Sequence, residues 1–259
     1  MGKYFSASVE PDMSRDMGTT VGTQAFADKD ILFDWTPFDV PKGSSQLKSV
    51  EAIIRGTNGA DQTSVNHDIE LIFAKSIDGK APSTLGVINA AVTLGTTTEN
   101  TGVGWYRNIL GTIYMDATNN DNDGALTFLH TFSSSYEGTR DQLILTGEPD
   151  SGTNVGYDKI YVAGIFHTNS GGFDFGTNVI LDGAASAGSA NSLTVGTTNA
   201  LNVFQKGDVI VAHDGALAGT VLALTDTVIK LEAVNVGALA NNDELLNKSP
   251  IRLQMGFEK

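Results

Sequence analysis

The sequence predicts an all-β protein: an antiparallel, jelly-roll-like sandwich with a small β-barrel inserted near the C-terminus. Three observations lead there. More than a dozen short apolar runs between Ile31 and Phe257 are separated by Gly, Asn, Asp, Ser and Thr. Within them apolar and polar residues alternate, and hardly a stretch of helical period is long enough to matter. A length of 259 residues suits one large all-β domain or two smaller ones.

The elements follow in chain order. Residues 1–27 read as an N-terminal arm. They carry Lys3 but no continuous apolar stretch, and Glu10, Asp12 and Asp16 set them apart from a secretory signal. Residues 31–35 form the first expected strand, closed by Thr36 and Pro37, and residues 38–43 read as a turn through Pro41 and Gly43. In residues 47–55 the spacing of Leu47, Val50, Ile53 and Ile54 implies a strand with a bulge. Asn58-Gly59 is a hairpin signal. Residues 67–75 put Ile69, Leu71 and Phe73 on one face, the pattern of a half-buried strand.

Residues 85–94 fit a short helix or a strand, with Gly86 and the β-branched residues favouring strand. Residues 105–116 alternate Ile109, Gly111, Ile113 and Met115 against Leu110, Thr112 and Tyr114. Their expected hairpin partner is 125–132, across a loop at 118–124. Residues 143–145 and 159–167 add two strands, the second interrupted by Gly164.

From about Gly171 the texture changes, and residues 182–191 are a small-residue linker. Short runs at 193–195, 208–212, 217–224, 228–233 and 244–246 then repeat at the regular spacing of a small barrel. The expected division is a sandwich over 28–182, a barrel over 183–248, and a last strand within 249–259 that returns to the first sheet.

Thirty acidic against sixteen basic residues give a net charge of −14, spread along the chain. Phosphate backbones need clustered Lys and Arg, so nucleic acid is not expected as a partner. No apolar run approaches the roughly 20 residues of a membrane helix. The absence of cysteine removes disulfides, thiolate metal sites and Cys nucleophiles together.

Candidate chemistry is sparse. Residues 119–124 read Asn-Asn-Asp-Asn-Asp-Gly and place oxygen-bearing side chains at alternate positions before a glycine, as calcium loops do. Asn119, Asp121 and Asp123 are the candidate ligands, and calcium is the one candidate cofactor. However, Asn119 stands where Asp is usual and His130 where the twelfth-position Glu belongs, so a polar hairpin tip held by Asx turns is the plainer reading. His67, His130, His167 and His213 are far apart and lack metal-binding helical spacing. No Gly-x-Ser-x-Gly elbow exists, and no Gly-Lys-Ser or Gly-Lys-Thr for a phosphate cradle, so no catalytic residue is assigned and no enzyme is expected. Trp35, Phe38, Trp105 and Tyr106 lie near expected strand ends. They are either core or anchors of an oligomer interface.

Two stretches carry a family resemblance. Phe38-Asp39-Val40-Pro41-Lys42-Gly43 leads through a strand to Arg55-Gly56-Thr57-Asn58-Gly59-Ala60-Asp61-Gln62, and the chain closes with Lys248-Ser249-Pro250-Ile251-Arg252-Leu253-Gln254-Met255-Gly256-Phe257. They resemble virion structural proteins of tailed bacteriophages, particularly of marine cyanobacterial phages. The resemblance implies a non-enzymatic, β-rich protein present in many copies on the virion and assembled in a host cytoplasm. It would decorate the capsid as a homo-oligomer, with a trimer favoured, against the major capsid protein. The alternative it leaves open is a tail or fibre component with a carbohydrate-binding β domain, for which Trp105, Tyr106 and the loop around Asp121 are the candidates.

Overall fold

Apolar side chains at every second position build most of the elements, and the strands follow one another almost without helix. The computed structural model describes residues 3–14, 25–41, 44–55, 67–76, 81–92, 106–116, 120–123, 126–132, 144–146, 148–149, 157–168, 175–196 and 200–259. Its first ten strands are β1 (Tyr4–Val9), β2 (Ile31–Pro41), β3 (Ser44–Arg55), β4 (His67–Lys75), β5 (Ile109–Met115), β6 (Asn120–Asp123), β7 (Leu126–Phe132), β8 (Ile144–Thr146), β9 (Glu148–Pro149) and β10 (Tyr157–Thr168). Then come β11 (Ser192–Thr194), the one-turn helix α1 (Ala200–Val203), β12 (Val209–Ala212), β13 (Leu217–Leu224), β14 (Val228–Leu231), β15 (Leu245–Asn247) and β16 (Ile251–Glu258).

Two antiparallel sheets form the sandwich. The first runs β1-β16-β3-β7-β6 with β8 beside β3, and the second runs β2-β10-β4-β5 with β9 beside β10. The chain passes between the sheets repeatedly, from β2 to β3, from β3 to β4, from β5 to β6 and from β8 to β9. Strands distant in sequence therefore become neighbours. Leu47, Val50, Ala52, Ile54, Leu253, Met255 and Phe257 from the first sheet meet Phe33, Phe38, Leu71, Phe73, Ile160 and Val162 from the second in one core.

The bulge expected in β3 falls at Lys48. Gly256 pairs with Ser49 and Phe257 with Leu47, so one extra residue lets Leu47 and Val50 both face inward. Gly164 in β10 is a close approach. A Cβ built there would lie 2.3 Å from the Phe33 ring, and the register of β10 against β2 shifts on either side of it.

Several expectations need correction. The strand expected to stop at Thr36-Pro37 continues to Pro41, and what reads as a turn from Phe38 is its second half. β2 is the edge of its sheet, so a proline without an N–H is tolerated there, and Pro37 still pairs with Tyr161. The hairpin expected between 105–116 and 125–132 does not form. β5 pairs with β4, and β7 lies in the other sheet between β3 and β6. Both runs alternate correctly, but alternation does not name a partner, and Ile113 and Met115 add to the face already carrying Ile69 and Leu71.

The strand favoured over 85–94 is a turn where it is described, through residue 92. Gly86 (φ 142°) and Asn89 (φ 64°) take conformations that an extended ladder excludes. The segment caps the outer face of the second sheet, with Leu85 buried over Ile31, Ile72, Ala163 and Ile165. Within the expected arm, residues 4–9 are strand β1, the edge of the first sheet. Phe5 and Ala7 pack against the main core and Val9 is buried in it, while Tyr4, Ser6 and Ser8 face out. Its low overall hydrophobicity hides that alternation. The Asn-Gly hairpin signal at 58–59 lies outside the described residues.

The barrel uses one curled sheet, ordered β11-β14-β13-β12-β15. Its open sides are joined by residues 179–182. Val179 O accepts from Leu245 N and Leu181 N donates to Asp243 O on one side, while Asp182 N donates to Thr194 O on the other. Val179 and Leu181 belong to the barrel core, whereas Phe175 belongs to the sandwich core, so the change of unit falls between them. After the barrel, β16 enters the first sheet between β1 and β3. No helix among the described residues is long and apolar enough to cross a membrane.

Candidate functional site

A concavity lies where the two units meet. β3 leaves the sandwich at Arg55, and the barrel returns the chain through Asn247 to Pro250 at the start of β16. Between them a cleft of about 270 Å³ is lined by Glu10, Ile53, Arg55, Gln205, Gly207, Asp208, Val209, Asn247, Ser249, Pro250 and Arg252. Strand parity supplies the two arginines. Ala52 and Ile54 on β3 point into the core, as do Ile251 and Leu253 on β16, so Ile53, Arg55 and Arg252 must point out.

Arg55 is held. Its Nη1 donates to Asp208 Oδ2 in an ion pair whose side chains are both largely buried, and the same Oδ2 accepts from Gln205 N at 2.8 Å. Gly207 (φ 94°) takes the left-handed conformation in the turn between Gln205 and Asp208. Beside it, on the neighbouring strand β15, Asn247 Oδ1 accepts from Ser249 N at 2.9 Å. Arg252 is exposed and has no ion-pair partner among the described residues.

The N-terminal segment supplies Glu10 to the cleft and is anchored next to it. Lys248 Nζ lies 2.9 Å from Asp12 Oδ2, and Met13 N donates to Lys248 O at 2.9 Å. Burial pushes the Asp12 carboxyl up, but the hydroxyl and N–H of Ser14 and the ammonium of Lys248 together outweigh it and hold the group below the usual aspartate value. This pins the chain beyond β1 to the exit of the barrel.

A second polar group sits on the outer face of the second sheet. The His167 ring is bracketed by Asp28 Oδ1 and Glu70 Oε2, each 3.2 Å away, and Tyr114 OH donates to Asp68 Oδ2 at 2.5 Å beside it. The arrangement ties the residues before β2 to β4 and β10. His213 is buried in the barrel with Nδ1 3.5 Å from Asp243 Oδ1.

The sequence-derived candidates do not assemble. Phe38 is buried in the sandwich core, edge-on to Phe73 at 6.3 Å and tilted against Phe257 at 6.2 Å. Trp35 is half-buried on the outer face, its indole N–H donating to Ser83 O at 2.9 Å. Tyr106 opens a single 3-10 turn (Tyr106–Asn108) before β5, and Trp105 lies outside the described residues. Asn119 is likewise outside them. Asp121 and Asp123 stand on β6, opposite Phe128 and Leu126, where an extended strand replaces the turning backbone that a loop reading expects. His67 and His130 stand on β4 and β7, in different sheets. Among the described residues no group of three or more His, Asp or Glu side chains is placed to hold a metal ion.

Sequence reasoning missed the cleft because four distant segments build it. The available signals were the outward parity of Arg252 within the alternation of β16 and the polar turn Lys206-Gly207-Asp208. Comparison with protein-family models and with curated protein sequences finds no match for the chain.

Proposed function

We propose that the protein is a non-enzymatic virion structural protein of a tailed bacteriophage, a capsid decoration subunit that stabilises the particle by burying surface at capsomer joints. The observation that carries the reading is the attachment of the barrel. It is inserted between β10 and β16, two strands of the sandwich, and is tied down by Arg55–Asp208 and Lys248–Asp12. Such a doubly tethered pair gives a stiff body with surface on two units, which suits a cement better than a hinged reader of ligands. The barrel also exposes Leu201, Leu222, Val234 and Val236. Apolar residues of this kind, supplied by many copies, would contribute to contacts of roughly 1,200–2,000 Å² with the major capsid protein or with a second copy.

The test is the mass of the purified full chain by light scattering, alone and with phage particles stripped of their outer proteins. The expected result is a closed oligomer, a trimer first among them, that rebinds the particles. A monomer that ignores the particles and binds cell-surface glycan would overturn this reading in favour of a tail or fibre component.

A further inference from the structure

We propose that the cleft between the sandwich and the barrel binds a compact oxyanion, a carboxylate or a phosphate group, with Arg252 as its principal donor and Arg55 as the second. The site goes beyond the decoration reading and stands or falls without it. Guanidinium forks match the planar carboxylate and the phosphate face, and both groups here project from neighbouring strands into one cavity of about 270 Å³. That volume lies just below the range of drug-sized ligand sites, roughly 300–1,000 Å³, and admits a small anion with room for the rest of the molecule that bears it.

The two arginines differ in preparation. Arg55 spends Nη1 on Asp208, which fixes its plane and leaves further N–H donors of a five-donor group. Arg252 has no hydrogen-bond or ion-pair partner among the described residues, in a chain where acidic residues outnumber basic ones 30 to 16. Asn247 adds to the donor character. Its Oδ1 is occupied by Ser249 N, so the amide nitrogen is the end left to donate. The opposing element is Glu10, whose carboxylate lines the same cleft and competes for the guanidinium groups. With Arg55 and Asp208 neutralising one another, Arg252 and Glu10 decide the sign of the field a ligand meets.

That opposition gives a test with two directions. The full chain is titrated calorimetrically with inorganic phosphate and, separately, with succinate, with ionic strength held constant by chloride. The expected result is saturable binding to one site by at least one probe, weakened about tenfold by Arg252→Gln, which removes a charge-assisted donor. Glu10→Gln should tighten it. Neither change should move the melting temperature, because both side chains are exposed. Preference for phosphate over succinate, or the reverse, tells which oxyanion the site is built for. Absence of saturable binding by both probes, or equal binding by the Arg252→Gln protein, would overturn the assignment.

Discussion

The sandwich and the barrel are stabilised by different means, and the contrast follows from geometry. Two sheets packed face to face stand about 10 Å apart, and long side chains are needed to fill that gap. The sandwich core accordingly holds Phe26, Phe33, Phe38, Phe73, Phe166, Phe175 and Phe257. A small barrel curls one sheet around a narrow interior that short side chains fill. Its core holds Ala185, Ala200, Ala212 and Ala218 among Val, Leu and Ile, with Phe204 as the only aromatic among its buried members.

The barrel offsets its smaller apolar volume with buried polar staples. Asn235 is fully buried. Its Oδ1 accepts from Ser189 N and Ala190 N, and its amide donates to Ser186 O and Gly237 O. Glu244 Oε1 accepts from Thr177 N and Asn178 N and so fixes the entry to the barrel. The lesson is that an apolar truncation should hurt one unit most, and the loss of a hydrogen-bonding side chain the other.

The largest effect should come from Phe257→Ala. The ring is buried, stacks on Phe5 at 4.8 Å and meets Phe38 from the other sheet. Its removal should cost about 3–5 kcal/mol, and scanning calorimetry should show the sandwich transition moving down while the barrel transition stays. A single transition moving as a whole would mean that the two cores melt as one, and the comparison would fail. Next is Asn235→Ala, which strips acceptors from Ser189 N and Ala190 N and donors from two carbonyls. At about 1–3 kcal/mol for leaving a buried polar group unsatisfied, the barrel should lose about 3 kcal/mol. Amide exchange should report it first at residues 185–190, with the strands of the sandwich unchanged.

A smaller effect tests the coupling between the units. Arg55→Met removes the ion pair to Asp208 but keeps most of the aliphatic stem. It should cost roughly 2 kcal/mol, because it leaves the largely buried Asp208 carboxylate with only the Gln205 N–H as partner among the described residues. The informative readout is the separation of the two calorimetric transitions, which should widen. No widening would assign the coupling to the Asp12–Lys248 contact and the backbone bonds instead.

The sequence made strand positions legible and left strand partners obscure. Within the barrel, the runs at 193–195, 208–212, 217–224, 228–233 and 244–246 lie within about two residues of the observed strands, and short turns make β12, β13 and β14 neighbours in chain order, whereas β11 pairs with β14 and β15 with β12. In the sandwich the same reasoning fails at β5, whose partner is β4 and not β7, since crossing between sheets leaves no local trace. Pro37 shows a second limit. A proline forbids a central strand but permits an edge, and edge or centre is a property of the whole sheet. The cleft was least legible, because Glu10, Arg55, Asp208 and Arg252 meet only once β16 has returned between β1 and β3. Their chemistry is ordinary residue by residue and acquires direction through topology.

The smallest expected effect concerns acid and the N-terminal strand, which belongs to the sandwich and whose continuation is pinned to the barrel exit. Asp12 sits against Lys248 at the barrel exit. Glu258 on β16 receives the Lys48 ammonium at 2.8 Å, and that hydrogen bond, with the Lys48 charge and a hydrogen bond to Tyr4, outweighs desolvation and holds its carboxyl below the usual glutamate value. Both folded-state values lie below the ordinary 3.8 and 4.5. Groups shifted in that sense contribute stability that is full above their ordinary values and is lost as pH falls through the lower folded ones. β1 should therefore stay protected at pH 5 and loosen below about pH 4, while the barrel interior keeps its protection. Amide exchange of the β1 positions bonded to β16, corrected for intrinsic rates, should show the change, and Asp12→Asn with Glu258→Gln should flatten it. If the doubly substituted protein loosens over the same pH range, the acid sensitivity of β1 arises elsewhere, and these two carboxylates do not hold that edge strand in place.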